Sequence, residues 1–152
     1  MANKISLDTA DKLDIVCKRG DTFLLNLRLK DSEGVAIELT SLNYSFLMQV
    51  REPSFVDPLS TTGEVVKGKV ILSTPDAKET KIIEEGSAPE TNLSFEPIVV
   101  DNLGNITITA LNTVMKQINP GRYVYDIQSV ASGVYKTIIR GSFVVNDDIT
   151  QV

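Results

Sequence analysis

The sequence contains no histidine and no tryptophan, and its single cysteine is Cys17. Without histidine, neither a Ser–His–Asp triad nor a Cys–His pair can be assembled for nucleophilic catalysis. One cysteine excludes an internal disulfide, and no apolar stretch has the length of a signal peptide or of a bilayer span. We therefore expect a protein that is made in a reducing cytoplasm and has no membrane segment.

Basic residues are fewer than acidic residues: the chain has 15 Lys and Arg and 20 Asp and Glu, which gives a net charge of −5. Proteins that bind nucleic acid neutralise phosphates with Lys and Arg, and anionic membrane surfaces repel an acidic chain. We predict that neither is a partner. The imbalance is local, because seven acids and only two bases lie between Asp76 and Asp101.

The motifs of enzymes and cofactor-binding proteins are missing as well. The sequence has no glycine-rich phosphate loop and no zinc-ligand spacing. Glu84-Glu85 is a carboxylate pair, yet it stands in a Pro- and Gly-bounded acidic stretch, where a solvated charge cluster is the simpler interpretation. Asp101-Asn102-Leu103-Gly104-Asn105 lacks calcium-loop spacing and is interpreted as a polar turn. We predict a protein that is not an enzyme and holds no cofactor or metal.

What the chain does contain is β-structure. Residues 23–29 alternate apolar and polar positions, and so do residues 44–51. Two β-rich runs at Tyr123–Val130 and Val134–Val145 flank Ala131-Ser132-Gly133, which predicts a hairpin with a three-residue break that uses Gly133 for positive φ. Strands separated by turns every 8–12 residues, without long helices between them, predict an all-β sandwich rather than a parallel α/β fold.

The entry to this hairpin is more specific. Gly121-Arg122-Tyr123-Val124-Tyr125 follows the G-x-Y-x-C spacing at the start of strand F in immunoglobulin-like sandwiches, where the first tyrosine forms the tyrosine corner. Tyr125 stands at the place of the second cysteine. Gly121, Tyr123 and Tyr125 are thus predicted structural residues. The spacing predicts an immunoglobulin-like antiparallel β-sandwich.

The remaining segments complete the domain plan. Apolar residues at Leu111, Val114, Met115 and Ile118 predict a short helical turn before strand F, with Asn112 as its cap. Residues 1–11 are interpreted as an arm and residues 12–150 as one domain. Residues 52–105 contain five prolines; within them, about 74–104 is expected to be an acidic insertion, flanked by strands near Val70–Leu72 and Ile106–Ile108.

Several of these elements together resemble a known family. They are Arg19-Gly20-Asp21-Thr22-Phe23, the run from Leu29-Lys30-Asp31 to Leu39-Thr40, Phe46-x-Met48-Gln49-Val50-Arg51, Gly121–Gln128 and Thr137-x-x-x-Gly141-x-Phe143-x-Val145. In this order and spacing they resemble the immunoglobulin-like virion domains of tailed bacteriophages, especially the N-terminal domain type of baseplate upper proteins. The match covers about residues 18–51 and 119–150, and the acidic segment between departs from the pattern.

The resemblance implies a non-enzymatic structural protein of the phage virion. Baseplate upper proteins continue into a long C-terminal region, whereas this chain stops at Val152, so we expect an auxiliary or decoration protein on the capsid exterior. The expected partners are other virion proteins, the major capsid protein first, with self-association on the particle as a further expectation. A tail or baseplate component is the alternative, followed by a host-surface or glycan-binding module.

The acidic segment is the candidate partner-contact region. It is interpreted either as a solvated loop or as an arm that docks on a neighbouring subunit. In the second interpretation, apolar runs add a strand to a partner's sheet edge. The candidate contact residues are Ile82, Ile83, Glu84, Glu85, Ile98, Val99 and Val100.

Overall fold

A computed structural model of the chain describes residues 11–56, 63, 65–66, 68–74 and 93–147. Its regular elements are twelve strands and one helix. In chain order they are β1 Asp11–Lys12, β2 Ile15–Lys18, β3 Phe23–Arg28, β4 Ser45–Arg51, β5 Phe55–Val56, β6 Val65–Val66, β7 Val70–Ser73, β8 Leu93–Ser94, β9 Val99–Val100, β10 Asn105–Ala110, α1 Asn112–Met115, β11 Gly121–Ala131 and β12 Val134–Asn146.

The strands form two main sheets, which confirms the predicted all-β sandwich. One sheet has seven strands in the order β1-β12-β11-β4-β7-β8, with β2 also pairing β12, and the other has the order β3-β10-β9. These orders are those of an immunoglobulin-like sandwich, with β3, β10 and β9 in the places of strands B, E and D. Strands β12, β11 and β4 take the places of G, F and C.

The core lies between the sheets and follows the alternation of the long strands. In β10 the side chains of Ile106 and Ile108 are fully buried, and in β12 those of Phe143 and Val145 are buried beside them. The ring of Phe143 packs against that of Phe23 across the interior, with centroids 5.3 Å apart. Burial of this apolar surface is the main force that holds the two sheets together.

The β11–β12 hairpin is the longest pairing of the molecule, and its loop is shorter than expected. Ala131 pairs with Val134, so the connection has two residues, Ser132 and Gly133, rather than three. Both have positive φ, at 51° and 76°. A two-residue loop with two positive φ angles matches the right-handed twist of the flanking strands, which explains why the shorter loop is adopted.

The entry to β11 has the predicted tyrosine geometry. The Tyr123 hydroxyl donates a hydrogen bond to the carbonyl of Asn119 at 2.6 Å, four residues upstream. The Tyr125 hydroxyl donates to the carbonyl of Leu13 at 2.5 Å, and its ring meets Phe143 edge-on. Tyr125 therefore connects the N-terminal edge to the hairpin. Gly121 has ordinary φ, and a Cβ there would make only van der Waals contact with the Tyr123 ring, so sterics do not require glycine.

The antiparallel expectation holds for the sheet interiors but is wrong at two edges. β1 and β2 pair with β12 in parallel, as does β8 with β7. The cause at the first edge is topological: the N-terminal segment crosses to the sheet that contains the last strand and runs beside it. Gly141 permits this approach, since a Cβ there would lie 2.0 Å from the carbonyl oxygen of Leu13.

Three boundaries differ from the sequence prediction. Asp11, assigned to the arm, lies in β1, and residues 1–10 are outside the described residues. The helix α1 has Leu111 rather than Asn112 at its N-cap and no side-chain cap, because Leu111 already has the extended backbone of a cap position. The expected insertion ends earlier than Gly104, because β8 and β9 pair with β7 and β10 and so belong to the sandwich.

Candidate partner-contact surface

The predicted contact residues divide between two places. Ile82, Ile83, Glu84 and Glu85 lie outside the described residues. The last described residue before the segment that contains them is Thr74, whose backbone N–H donates to the Met48 carbonyl at 3.0 Å. The first described residue after it is Leu93, which pairs with Leu72. The acidic segment is thus attached where β7 and β8 form an edge of the seven-stranded sheet.

Ile98, Val99 and Val100 lie at an edge of the three-stranded sheet. Val99 is 63% exposed, whereas Ile98 and Val100 pack partly against the core. β9 has only two residues, and Pro97 just before it has no N–H to donate. Short edges and prolines are features that hinder strand addition. The edge at β9 is therefore poorly suited to the predicted strand addition.

One end of the sandwich carries a more extensive candidate surface, which we call the loop end. It comprises residues 29–44 between β3 and β4, residues 101–104 between β9 and β10, and the Ser132-Gly133 turn with the start of β12, Val134 and Tyr135. The first two loops brace each other through the backbone bond from Leu29 to Gly104 at 2.8 Å. The Ser41 N–H also donates to Asn102 Oδ1 at 2.9 Å. These cross-links fix the loops relative to the sheets.

Carboxylates at the loop end stabilise the loops by accepting backbone hydrogen bonds. Asp101 Oδ1 accepts the backbone N–H groups of Leu103 at 2.8 Å and Asn105 at 3.0 Å, and its Oδ2 accepts the Asn105 side chain. The side-chain and backbone bonds from Asn105 lower the pKa of Asp101. Asp31 accepts the N–H groups of Glu33 and Val35 in the same way. These oxygens therefore act as turn-forming acceptors.

Apolar side chains project from this rigid end. Of the eleven large hydrophobic residues exposed in the described part of the chain, five are at the loop end, each more than half exposed. We call them the loop-end patch: Val35, Leu42, Leu103, Val134 and Tyr135. Exposed apolar groups gathered in one region mark interaction surfaces more often than scattered ones do. We identify this patch as the principal candidate for a partner contact.

Sequence reasoning missed the loop-end patch, although a signal was available. Val35, Leu42 and Leu103 each interrupt a polar turn, in Ser32-Glu33-Gly34-Val35, Thr40-Ser41-Leu42-Asn43 and Asp101-Asn102-Leu103-Gly104. A large apolar residue in a turn has no strand face to bury it. That three such turns meet at one end follows only from the topology.

The remaining polar groups in the described residues show no activated nucleophile. Burial raises the pKa of Cys17 to about 11, and its Sγ donates to the Val144 carbonyl at 3.5 Å, so the thiol stays protonated at neutral pH. The Asp14 carboxylate accepts the Ser142 N–H at 3.0 Å, a bond that lowers its pKa. No group of three or more His, Cys, Asp or Glu able to hold a metal ion occurs among the described residues. In the same residues, no helix has the length and apolarity to cross a bilayer.

The sequence matches no protein-family model and no curated protein. Among solved structures, the chain is similar to an uncharacterized protein from Bacillus anthracis str. Ames, with 14% identity and a TM-score of 0.34 over 93% of this chain and 87% of that one. It is also similar to a family 123 glycoside hydrolase from Clostridium perfringens, with 12% identity and a TM-score of 0.33 over 93% of this chain. This match spans only 24% of the hydrolase. Likenesses this distant assign no function to the chain.

Proposed function

We propose that this chain is a non-enzymatic structural protein of a tailed-phage virion, bound to the exterior of the capsid shell through the loop-end patch. The observation that supports the contact surface is that exposed apolar side chains occur together at the loop end, three of them (Val35, Leu42 and Leu103) on loops that are hydrogen-bonded to each other. A contact surface that is already rigid loses little conformational entropy on binding. The partner class comes from the family resemblance of residues 18–51 and 119–150.

The fold is compatible with the proposal, because residues that carry the resemblance occupy core and corner positions of the sandwich. Phe46, Met48 and Val50 face the core from β4, and Tyr123 forms the tyrosine corner at the entry to β11. The chemistry of the described residues supports the non-enzymatic part, because Asp14, Asp31 and Asp101 accept backbone N–H groups and Cys17 is protonated. Binding then rests on shape and apolar contact.

The direct test uses particles that lack the protein. Phage with the gene deleted is purified, separated into capsids and tails, and mixed with the purified chain before sedimentation. We expect the chain to sediment with capsids and not with tails. Sedimentation with tails alone, or with neither fraction, would contradict the capsid assignment.

Variants of the loop-end patch test the surface. Leu42→Asp and Leu103→Asp place a charge on side chains that are 55% and 60% exposed, so folding should be little affected while capsid binding falls at least about tenfold. The matched control is Leu111→Asp, which alters a side chain 44% exposed at the opposite end. Equal binding by all three variants would exclude the loop end as the contact.

A further inference from the structure

The second open edge of the three-stranded sheet differs from β9. β3 pairs with β10 on one side, and no described residue pairs with its other side. It is six residues long, with no proline or lysine in the sequence Phe-Leu-Leu-Asn-Leu-Arg. Very short length, prolines and lysines protect an edge from pairing with another chain, and β3 has none of these; its one charged residue, Arg28, is at the end of the strand. Its free edge is therefore competent to accept a strand.

The hydrogen bonds between β3 and β10 show which backbone groups of β3 are available to pair with an added strand. Leu29 donates its N–H to Gly104, which continues the ladder between β3 and β10. Because backbone groups alternate in direction along an antiparallel pair, Phe23, Leu25 and Leu27 also turn theirs toward β10. The N–H and C=O groups of Leu24, Asn26 and Arg28 then point toward the open edge.

Core side chains are also less completely buried beside this edge. Ile106 and Ile108 in β10 are fully buried, whereas their register partners Leu27 and Leu25 in β3 are only partly buried. The side of the sandwich next to β3 thus leaves apolar surface uncovered. A strand added there with two apolar residues facing inward would cover it.

Residues 4–8, Lys-Ile-Ser-Leu-Asp, have the pattern that this edge requires. Ile5 and Leu7 are two residues apart and alternate with Lys4, Ser6 and Asp8, so an extended segment presents both apolar side chains on one face. We propose that residues 4–8 of a second copy of this chain add to the edge of β3, with Ile5 and Leu7 covering Leu25 and Leu27. This strand exchange would join copies independently of any capsid contact.

The register of the N-terminal edge favours a second copy over the same chain. Ile15 pairs with Phe143, and the ring of Phe143 contacts that of Phe23. Residues 15 and 23 therefore lie at the same height, that is, at the same level along the strand direction. Asp11 pairs with Ile139, four residues nearer the loop end, which is the height of Leu27.

Residues before Asp11 that continued in this direction would pass beyond the end of β3. Leu7, four residues earlier, would lie about 13 Å past that height. To return along its own β3, the chain would have to reverse within Asp8-Thr9-Ala10. That tripeptide contains neither Gly nor Pro, and Asp8 is its one residue of a type that favours tight turns.

The test measures contact between copies of the full chain by nuclear magnetic resonance. One copy is labelled with ¹⁵N, and the other is unlabelled and carries a nitroxide at Asn3→Cys in a Cys17→Ser background. At about 1 mM chain, a concentration that fills more than about a third of even a site with a Kd near 1 mM, we expect the amide signals of Leu24, Asn26 and Arg28 to broaden. Amide exchange at the same positions should slow in step with the filled fraction, by about 1.6-fold for a Kd near 1 mM and more for a tighter site.

Paired variants distinguish the outcomes. Leu7→Asp in the nitroxide-bearing copy should abolish the broadening, because it charges the inward face, whereas Ser6→Asp on the opposite face should retain it. Broadening that occurs only when nitroxide and ¹⁵N are in the same copy would overturn the proposal in favour of the chain's own segment. Absence of broadening in both arrangements, or equal loss in both variants, would also overturn it.

Discussion

The two main sheets of this sandwich are built very differently. The seven-stranded sheet contains the 11-residue β11 and the 13-residue β12, each of which has four buried residues. The three-stranded sheet has strands of two to six residues, and only its central strand β10 is buried along its full inward face. We infer that the first sheet provides most of the stability, and that the second, with its open edges and the loops it supports, is available for contacts.

The removal of a large side chain from the seven-stranded sheet should have the largest effect on stability. Phe143→Ala should lower the free energy of unfolding by about 3–5 kcal/mol, because the side chain is fully buried between Phe23 and Tyr125. The matched control, Leu24→Ala on the outer face of β3, should change it by no more than about 0.5 kcal/mol. Urea denaturation measures both; similar losses would show that stability is shared evenly by the sheets.

A smaller effect is expected at the tyrosine corner. Tyr123→Phe removes the hydroxyl that donates to Asn119 and should cost about 1 kcal/mol, since a carbonyl loses its partner. Tyr135→Phe, in which the ring is 51% exposed, is the control and should be nearly neutral. If the cost at Tyr123 were near zero, the corner would contribute nothing to the anchoring of β11.

A third effect is expected at alkaline pH. Burial, and secondarily the charge of Asp14, raises the pKa of Tyr125 to about 12, above the value near 10 in an unfolded chain. Below pH 10 the phenol is neutral in both states. Between about pH 10 and 12 the unfolded state loses the proton first, so the folded state becomes less stable as the pH rises.

Unfolding by urea at intervals across this range should therefore show a shallower decline for Tyr125→Phe than for the parent chain. Tyr135→Phe provides the reference, because its exposed phenol has no such interaction with Leu13. Identical slopes for the two variants would show that Tyr125 does not couple folding to alkaline titration.

The long, strongly alternating strands were predictable from sequence because each obeys one local rule. Alternation located β3 and β4, and the predicted strands Val70–Leu72 and Ile106–Ile108 are found as β7 and β10. The Gly121-x-Tyr123 spacing likewise predicted a bond that the structure contains. In all of these, short-range pattern and final burial agree.

The missed features depend on contacts between distant parts of the chain. The two-residue strands β8 and β9 have too few positions to show a period, and only their partners in β7 and β10 define them. The parallel course of β2 along β12 joins residues more than a hundred positions apart. The loop-end patch arises in the same way, because topology brings separate turns to one end.

The parallel pairing of β1 and β2 with β12 has a consequence for how the domain responds to a pulling force. Tension applied between Asp11 and Asn146 would drag the two strands past each other along their length. All the backbone bonds from Asp11↔Ile139 to Lys18↔Asn146 would then be loaded together, rather than opened one after another as in an unzipping hairpin. The domain is therefore built to resist stretching between these two ends.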